Sequence, residues 1–110
     1  MNIQIFGKNK CFETKKAQRY FKERGIKFQF IDLTEKGMSK GEYNSVSQAV
    51  GGFDNIVDKS REEYFTIQYL LPEARVEKLL ENPKLLLTPI VRNGKQATIG
   101  FQPDVWKKWE

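Results

Sequence analysis

The 110-residue chain has no histidine and a single cysteine. The missing histidines exclude imidazole metal sites, cysteine–histidine dyads and the serine triad. One cysteine excludes a disulfide within the chain. No run of about 18 apolar residues is present to cross a bilayer. The opening stretch "MNIQIFGKN" lacks both the apolar core and the cleavage site of a secretory signal. A cytoplasmic protein with no membrane partner is therefore expected. The chemistry left open is a lone thiol, carboxylates or a basic binding surface, and no metal or nucleotide site is read.

A hydrophobic fraction of 39% suits one folded domain spanning residues 1–110. The net charge of +5 is unevenly placed. Between Gly7 and Lys27, eight basic residues face only Glu13 and Glu23, a local balance of +6, while the rest of the chain has 11 basic residues against 12 acidic ones. The basic field thus belongs to the segment that holds the cysteine. Taken alone, such a run also fits a solvated helix face.

Periodicity gives the element order. "NIQIF" alternates through Ile3 and Ile5 to Phe6 and Gly7 and reads as a short strand. A helix is predicted over about 12–24, with Ala17, Tyr20 and Phe21 at helical spacing and Gly25 as its stop. "IKFQFIDL" puts Ile26, Phe28 and Phe30 on one face and Ile31 and Leu33 on the other, a strand covered on both sides. Residues 2–31 are thus a βαβ unit.

The middle reads as a helical insertion of roughly three helices over about 34–83. Ser39 with Glu42 forms a capping box ahead of Tyr43, Val46, Ala49 and Val50, with Gly51-Gly52 as the stop. Ser60 with Glu63 is a second box, ahead of Tyr64, Ile67 and Leu71. Pro72 opens a third helix carrying Val76, Leu79 and Leu80 inward. The paired acids Asp54-Asp58 and Glu62-Glu63 read as helix N-terminal charges. Beyond the insertion, Ile90-Val91 and Ala97, Ile99 and Phe101 flank the hairpin signal Asn93-Gly94. Pro103-Asp104 begins a last helix with Val105, Trp106 and Trp109 facing the core.

Cys11 falls where the first strand gives way to the first helix, at or near the N-cap. Unpaired N–H groups of the first turn and the positive end of the helix dipole favour a thiolate there. Lys8, Lys10, Lys15 and Lys16 would act in the same direction. The alternative is a small buried hydrophobe. That role calls for an apolar stripe, whereas Cys11 stands between Lys10 and Phe12-Glu13-Thr14.

"CFETKKA" is similar to the motif C-x-x-[S/C]-R-[K/N]-[A/T], and with "TPIVRNGKQATIGF" the whole chain resembles the arsenate reductase-like family, which includes ArsC enzymes and the Spx-type regulators that bind RNA polymerase. The resemblance implies an α/β, thioredoxin-like (glutaredoxin-type) fold: a mixed four-stranded sheet flanked by helices, the core at 1–33 and 84–110 and the helical insertion between. It makes Cys11 the nucleophile and puts Thr14 in the place of a serine or resolving cysteine. Lys15 takes the usual arginine position, and Pro89 that of a cis-proline lying against the thiol. Lys8 and Thr88 complete the expected substrate-binding set. Thr88 and Phe101 stand where arsenate reductases of this type carry arginines, and Lys59 or Arg61 is the candidate for a third.

Three functions follow from that resemblance. The first is a monothiol oxidoreductase whose Cys11 thiolate attacks a mixed disulfide or other oxidised substrate. It needs no bound cofactor and is reduced by an external low-molecular-weight thiol such as glutathione. The second is an Spx-like regulator docking an acidic partner such as RNA polymerase. True arsenate reduction ranks third, since guanidinium groups are the best donors to a tetrahedral dianion. No nucleic-acid partner is expected, as the basic segment lacks an aromatic stacking pattern. A monomer is expected.

Overall fold

A computed structural model describing residues 1–110 places four strands in one mixed sheet, in the order β2-β1-β3-β4. Strand β1 (Ile3–Gly7) is central, parallel to β2 (Phe28–Asp32) and antiparallel to β3 (Ile90–Asn93), which pairs antiparallel with β4 (Gln96–Ile99). Helix α1 (Phe12–Glu23) is the crossover between the two parallel strands. Helix α5 (Pro103–Lys107) closes the chain. Between β2 and β3 lie α2 (Lys40–Val50), α3 (Tyr64–Ile67) and α4 (Pro72–Glu81). The fold is thus the mixed, helix-flanked α/β sheet that the sequence implied.

The period of two along β1 and β3 sends alternate side chains into two cores. Ile3, Ile5 and Val91 meet Ala17, Tyr20 and Phe21 of α1 and Trp106 of α5 on one face. Phe6, Ile31, Leu33, Leu86 and Ile90 meet the insertion through Tyr43, Val46, Ile56, Ile67 and Leu79 on the other. Each fully buried aromatic among these contributes about 2–3 kcal/mol by leaving water. Trp106 also donates its indole N–H to Thr98 Oγ1 at 2.8 Å, inside the core.

Several local readings need correction. The capping box at Ser39 forms, its hydroxyl accepting from Glu42 N–H and Glu42 accepting from Ser39 N–H, and Gly51 ends α2 at φ +95°. The box expected at Ser60 does not. Asp58, two residues earlier, takes both the Ser60 N–H and hydroxyl, and Glu63 pairs with Lys84 at 2.8 Å. Helix α3 is therefore a single uncapped turn, and Leu71, expected inward, is exposed. The hairpin loop is Gly94-Lys95 instead of Asn93-Gly94, because Asn93 pairs with Gln96. Gly100, at φ +83°, ends β4 early and leaves Phe101 partly exposed against Trp106. Val105 and Ala49 face outward as well.

Candidate active site

Cys11 is the N-cap residue of α1, in an extended conformation (φ −84°, ψ 115°), with its N–H donated to the Lys8 carbonyl at 3.0 Å. The loop before it is held at two points. Lys8 Nζ donates to the carbonyls of Lys84 (2.8 Å) and Leu86 (3.0 Å), and Asn9 Nδ2 donates to Asp32 at 3.0 Å. Burial lowers the pKa of Lys8, and Arg61 adds to that shift, while Asp58 and Cys11 oppose it. The predicted substrate lysine thus spends two of its three donors fixing the backbone beneath the thiol.

Opposite the helix N-terminus, the Thr88–Pro89 peptide bond is cis, and Pro89 is buried. The thiol donates to the Thr88 carbonyl at 3.7 Å. Thr14, one turn into α1, is buried to 1% exposure and its Oγ1 has no hydrogen-bond partner. Thiol and hydroxyl are near enough to couple. Burial pushes the Cys11 pKa up, but the Thr14 hydroxyl, the Thr88 side chain and the Thr14 and Glu13 N–H groups pull it down further, leaving it below its ordinary value. A thiol that donates to Thr88 leaves Thr14 unpaired, whereas a thiolate, which only accepts, gives that hydroxyl its partner. Hydrogen bonds therefore produce the downward shift: the first-turn N–H groups contribute as expected, the Thr14 and Thr88 side chains add to them, and none of the four lysines is among the causes.

A depression of about 280 Å³ opens beside the sulfur, lined by Lys10, Asp58, Arg61, Leu87 and Thr88 among others. It gathers Cys11, Lys8 and Thr88 of the expected set. Lys15 is exposed on α1 and does not line it, and Lys16 lies 5.6 Å from the Phe101 ring centre. Arg61 lines the depression, paired with Asp58 at 3.6 Å, whereas Lys59 pairs with Asp54 at 3.4 Å outside it. Arg61 is the single guanidinium on this wall. The sequence pattern marks Asp58 only as a helix-end charge. The signal for its real position was its spacing to Ser60 and Arg61, which forms a local turn instead of a capped helix.

This geometry can be set beside known proteins. The chain is 28% identical over 109 residues to the global transcriptional regulator Spx 2 of Oceanobacillus iheyensis, across 94% of this chain and 80% of the relative. In structure it is similar to the arsenate reductase from Vibrio cholerae, with a TM-score of 0.85 and 24% identity, covering 98% and 97% of the two chains. It is also similar to the glutaredoxin-like NrdH-redoxin of Escherichia coli, with a TM-score of 0.53 and 19% identity, covering 100% and 96%. A thioredoxin-like sheet, a cysteine at the N-cap position of its first helix and a match to the ArsC family model over residues 6–109 together mean that the chain belongs to the ArsC family.

Proposed function

We propose that the protein is a monothiol oxidoreductase acting on mixed disulfides. The observation that carries this reading is the pairing of a half-buried Cys11, its pKa lowered, with a buried, unpartnered Thr14 hydroxyl ready to donate to the thiolate. In the first step the Cys11 thiolate attacks one sulfur of the substrate disulfide. A new S–S bond forms on Cys11, and the departing thiolate takes a proton from water. An external thiolate, glutathione being the expected one, then attacks the adduct. It leaves as a disulfide with the group carried on Cys11 and restores the Cys11 thiolate, so that each turnover consumes one external thiol and moves the disulfide from the substrate to the small thiol. Lys10 and Arg61 on the depression wall suit an anionic thiol, and Phe12, the residue after Cys11 and 78% exposed, offers a protein substrate an apolar contact.

The test is deglutathionylation of a protein mixed disulfide with glutathione as reductant. Cys11→Ser abolishes the activity and retains the fold; an unchanged rate in that variant ends the proposal. Arsenate is a poor substrate on this reading, because Arg61 is the lone guanidinium at the depression and Thr88 and Phe101 stand at the other two expected arginine positions.

The similarity to Spx 2 supports a second reading, a regulator whose basic α1 face docks an acidic protein such as RNA polymerase. Pull-down with purified polymerase separates the two. A docking protein keeps its partner in the Cys11→Ser variant, and an oxidoreductase trapped as an adduct loses it.

A further inference from the structure

We propose that the corner between α3 and α4 is a docking site for a basic amphipathic segment of a partner protein. Of the eight exposed large apolar side chains in the molecule, four fall within 65–71: Phe65 (59% exposed), Tyr69 (87%), Leu70 and Leu71 (78%). None is needed to hold the core on this side, which Ile67 and Leu79 fill from beneath. A run of large apolar groups left in water on one short stretch marks an interaction surface.

The surface has shape as well as hydrophobicity. Two crevices adjoin it along the start of α4. One, of about 490 Å³, is lined by Leu71, Pro72, Ala74 and two glutamates, Glu73 and Glu77. The other, of about 320 Å³, shares Pro72 and both glutamates and reaches Val76 and Leu80 toward α2, with Lys40 at its edge. Neighbouring crevices of this kind receive successive apolar side chains from one face of a bound helix. Neither shares a lining residue with the depression at Cys11.

Charge selects the occupant. Glu62, Glu73 and Glu77 take part in none of the ion pairs of the molecule, and between Glu62 and Ala74 the chain has no basic residue. With Glu62, Glu73 and Glu77 free against the single unpaired lysine at the crevice edge, Lys40, the patch complements a cationic segment with apolar anchors and repels an anionic bilayer surface.

The test uses two fluorescent helical peptides with the same leucine spacing, one with lysine and one with glutamate on the polar face, titrated against the full chain. The lysine peptide binds saturably and the glutamate peptide does not. Leu71→Asp with Tyr69→Ser weakens binding at least about tenfold, as loss of central anchors does. Glu73→Gln with Glu77→Gln weakens it about threefold and flattens its salt dependence. These side chains are exposed, so unchanged thermal unfolding and Cys11 alkylation verify that the fold is kept. Three results overturn the proposal: equal binding of both peptides, full affinity in the Leu71→Asp and Tyr69→Ser variant, or sedimentation of the native chain as a dimer that the same substitutions dissociate.

Discussion

Thr14 stands directly over Gly7: a Cβ added to the glycine would lie 2.7 Å from the threonine Oγ1 and would also collide with its Cγ2. The end of β1 and the first turn of α1 are packed so closely that no side chain fits between them. Gly7→Ala therefore forces Thr14 away from Cys11. The expected cost is about 1–3 kcal/mol of stability by overpacking. The pH midpoint of Cys11 alkylation rises with it, measured by iodoacetamide labelling and mass on the intact chain.

Thr14→Val keeps the volume and removes the hydroxyl. Because Oγ1 has no partner when Cys11 is protonated, its loss leaves folding stability unchanged or raises it by about 1 kcal/mol. The thiolate loses a donor, so the alkylation midpoint moves up toward that of a free thiol. Stability and reactivity moving apart in this way distinguishes a hydroxyl kept for the thiolate from one kept for packing.

The lowered pKa of Cys11 also sets a pH dependence of folding. Between the folded-state pKa and the unfolded-chain value of roughly 8.5, the unfolded chain binds more protons, so stability rises with pH across that window and is constant above it. As pH falls through the folded-state pKa, the contribution is lost. Urea unfolding of the native chain and Cys11→Ser should show a gap that widens as pH rises through this window. A gap that stays flat from roughly pH 6 to pH 9 would mean an ordinary thiol.

Lys8→Met removes the donors to the Lys84 and Leu86 carbonyls. A loss of about 1–2 kcal/mol is expected, since both acceptors must find water instead. Amide exchange accelerates over 84–88 before it does in β1, as read by mass spectrometry after deuterium labelling.

Trp106→Phe deletes the indole N–H that Thr98 Oγ1 accepts inside the core. Lost volume and an orphaned buried hydroxyl together cost about 2–3 kcal/mol. Chemical denaturation checks it.

The readings that succeeded rest on local physics. Periodicity in β1 and α1, the Ser39–Glu42 box and the Gly51 stop each depend on residues a few positions apart, and each is found. The Ser60 box failed through competition, because Asp58 reaches the same hydroxyl first. The site was legible in part. Cys11 at its N-cap followed from where a strand ends, while the meeting of Thr14, Thr88 and Pro89 came through the family motif. Arg61 could not be told from Lys59, because its approach to the thiol depends on the bridge between Val57 and Leu86, a contact between distant segments. Lys8 was legible as a charge near the thiol, but its carbonyl partners lie more than half the chain away.

Cys11 is the sole sulfur able to take part in an exchange, and that bears on timing. A protein with two thiols clears an adduct by a first-order internal attack, at a pace independent of its surroundings. On the proposed function, an adduct on Cys11 has a lifetime that varies inversely with the concentration of free small thiol. The modified fraction would then rise as that pool is depleted and fall as it recovers, so that the occupancy of Cys11 would be a running readout of the reducing capacity around it.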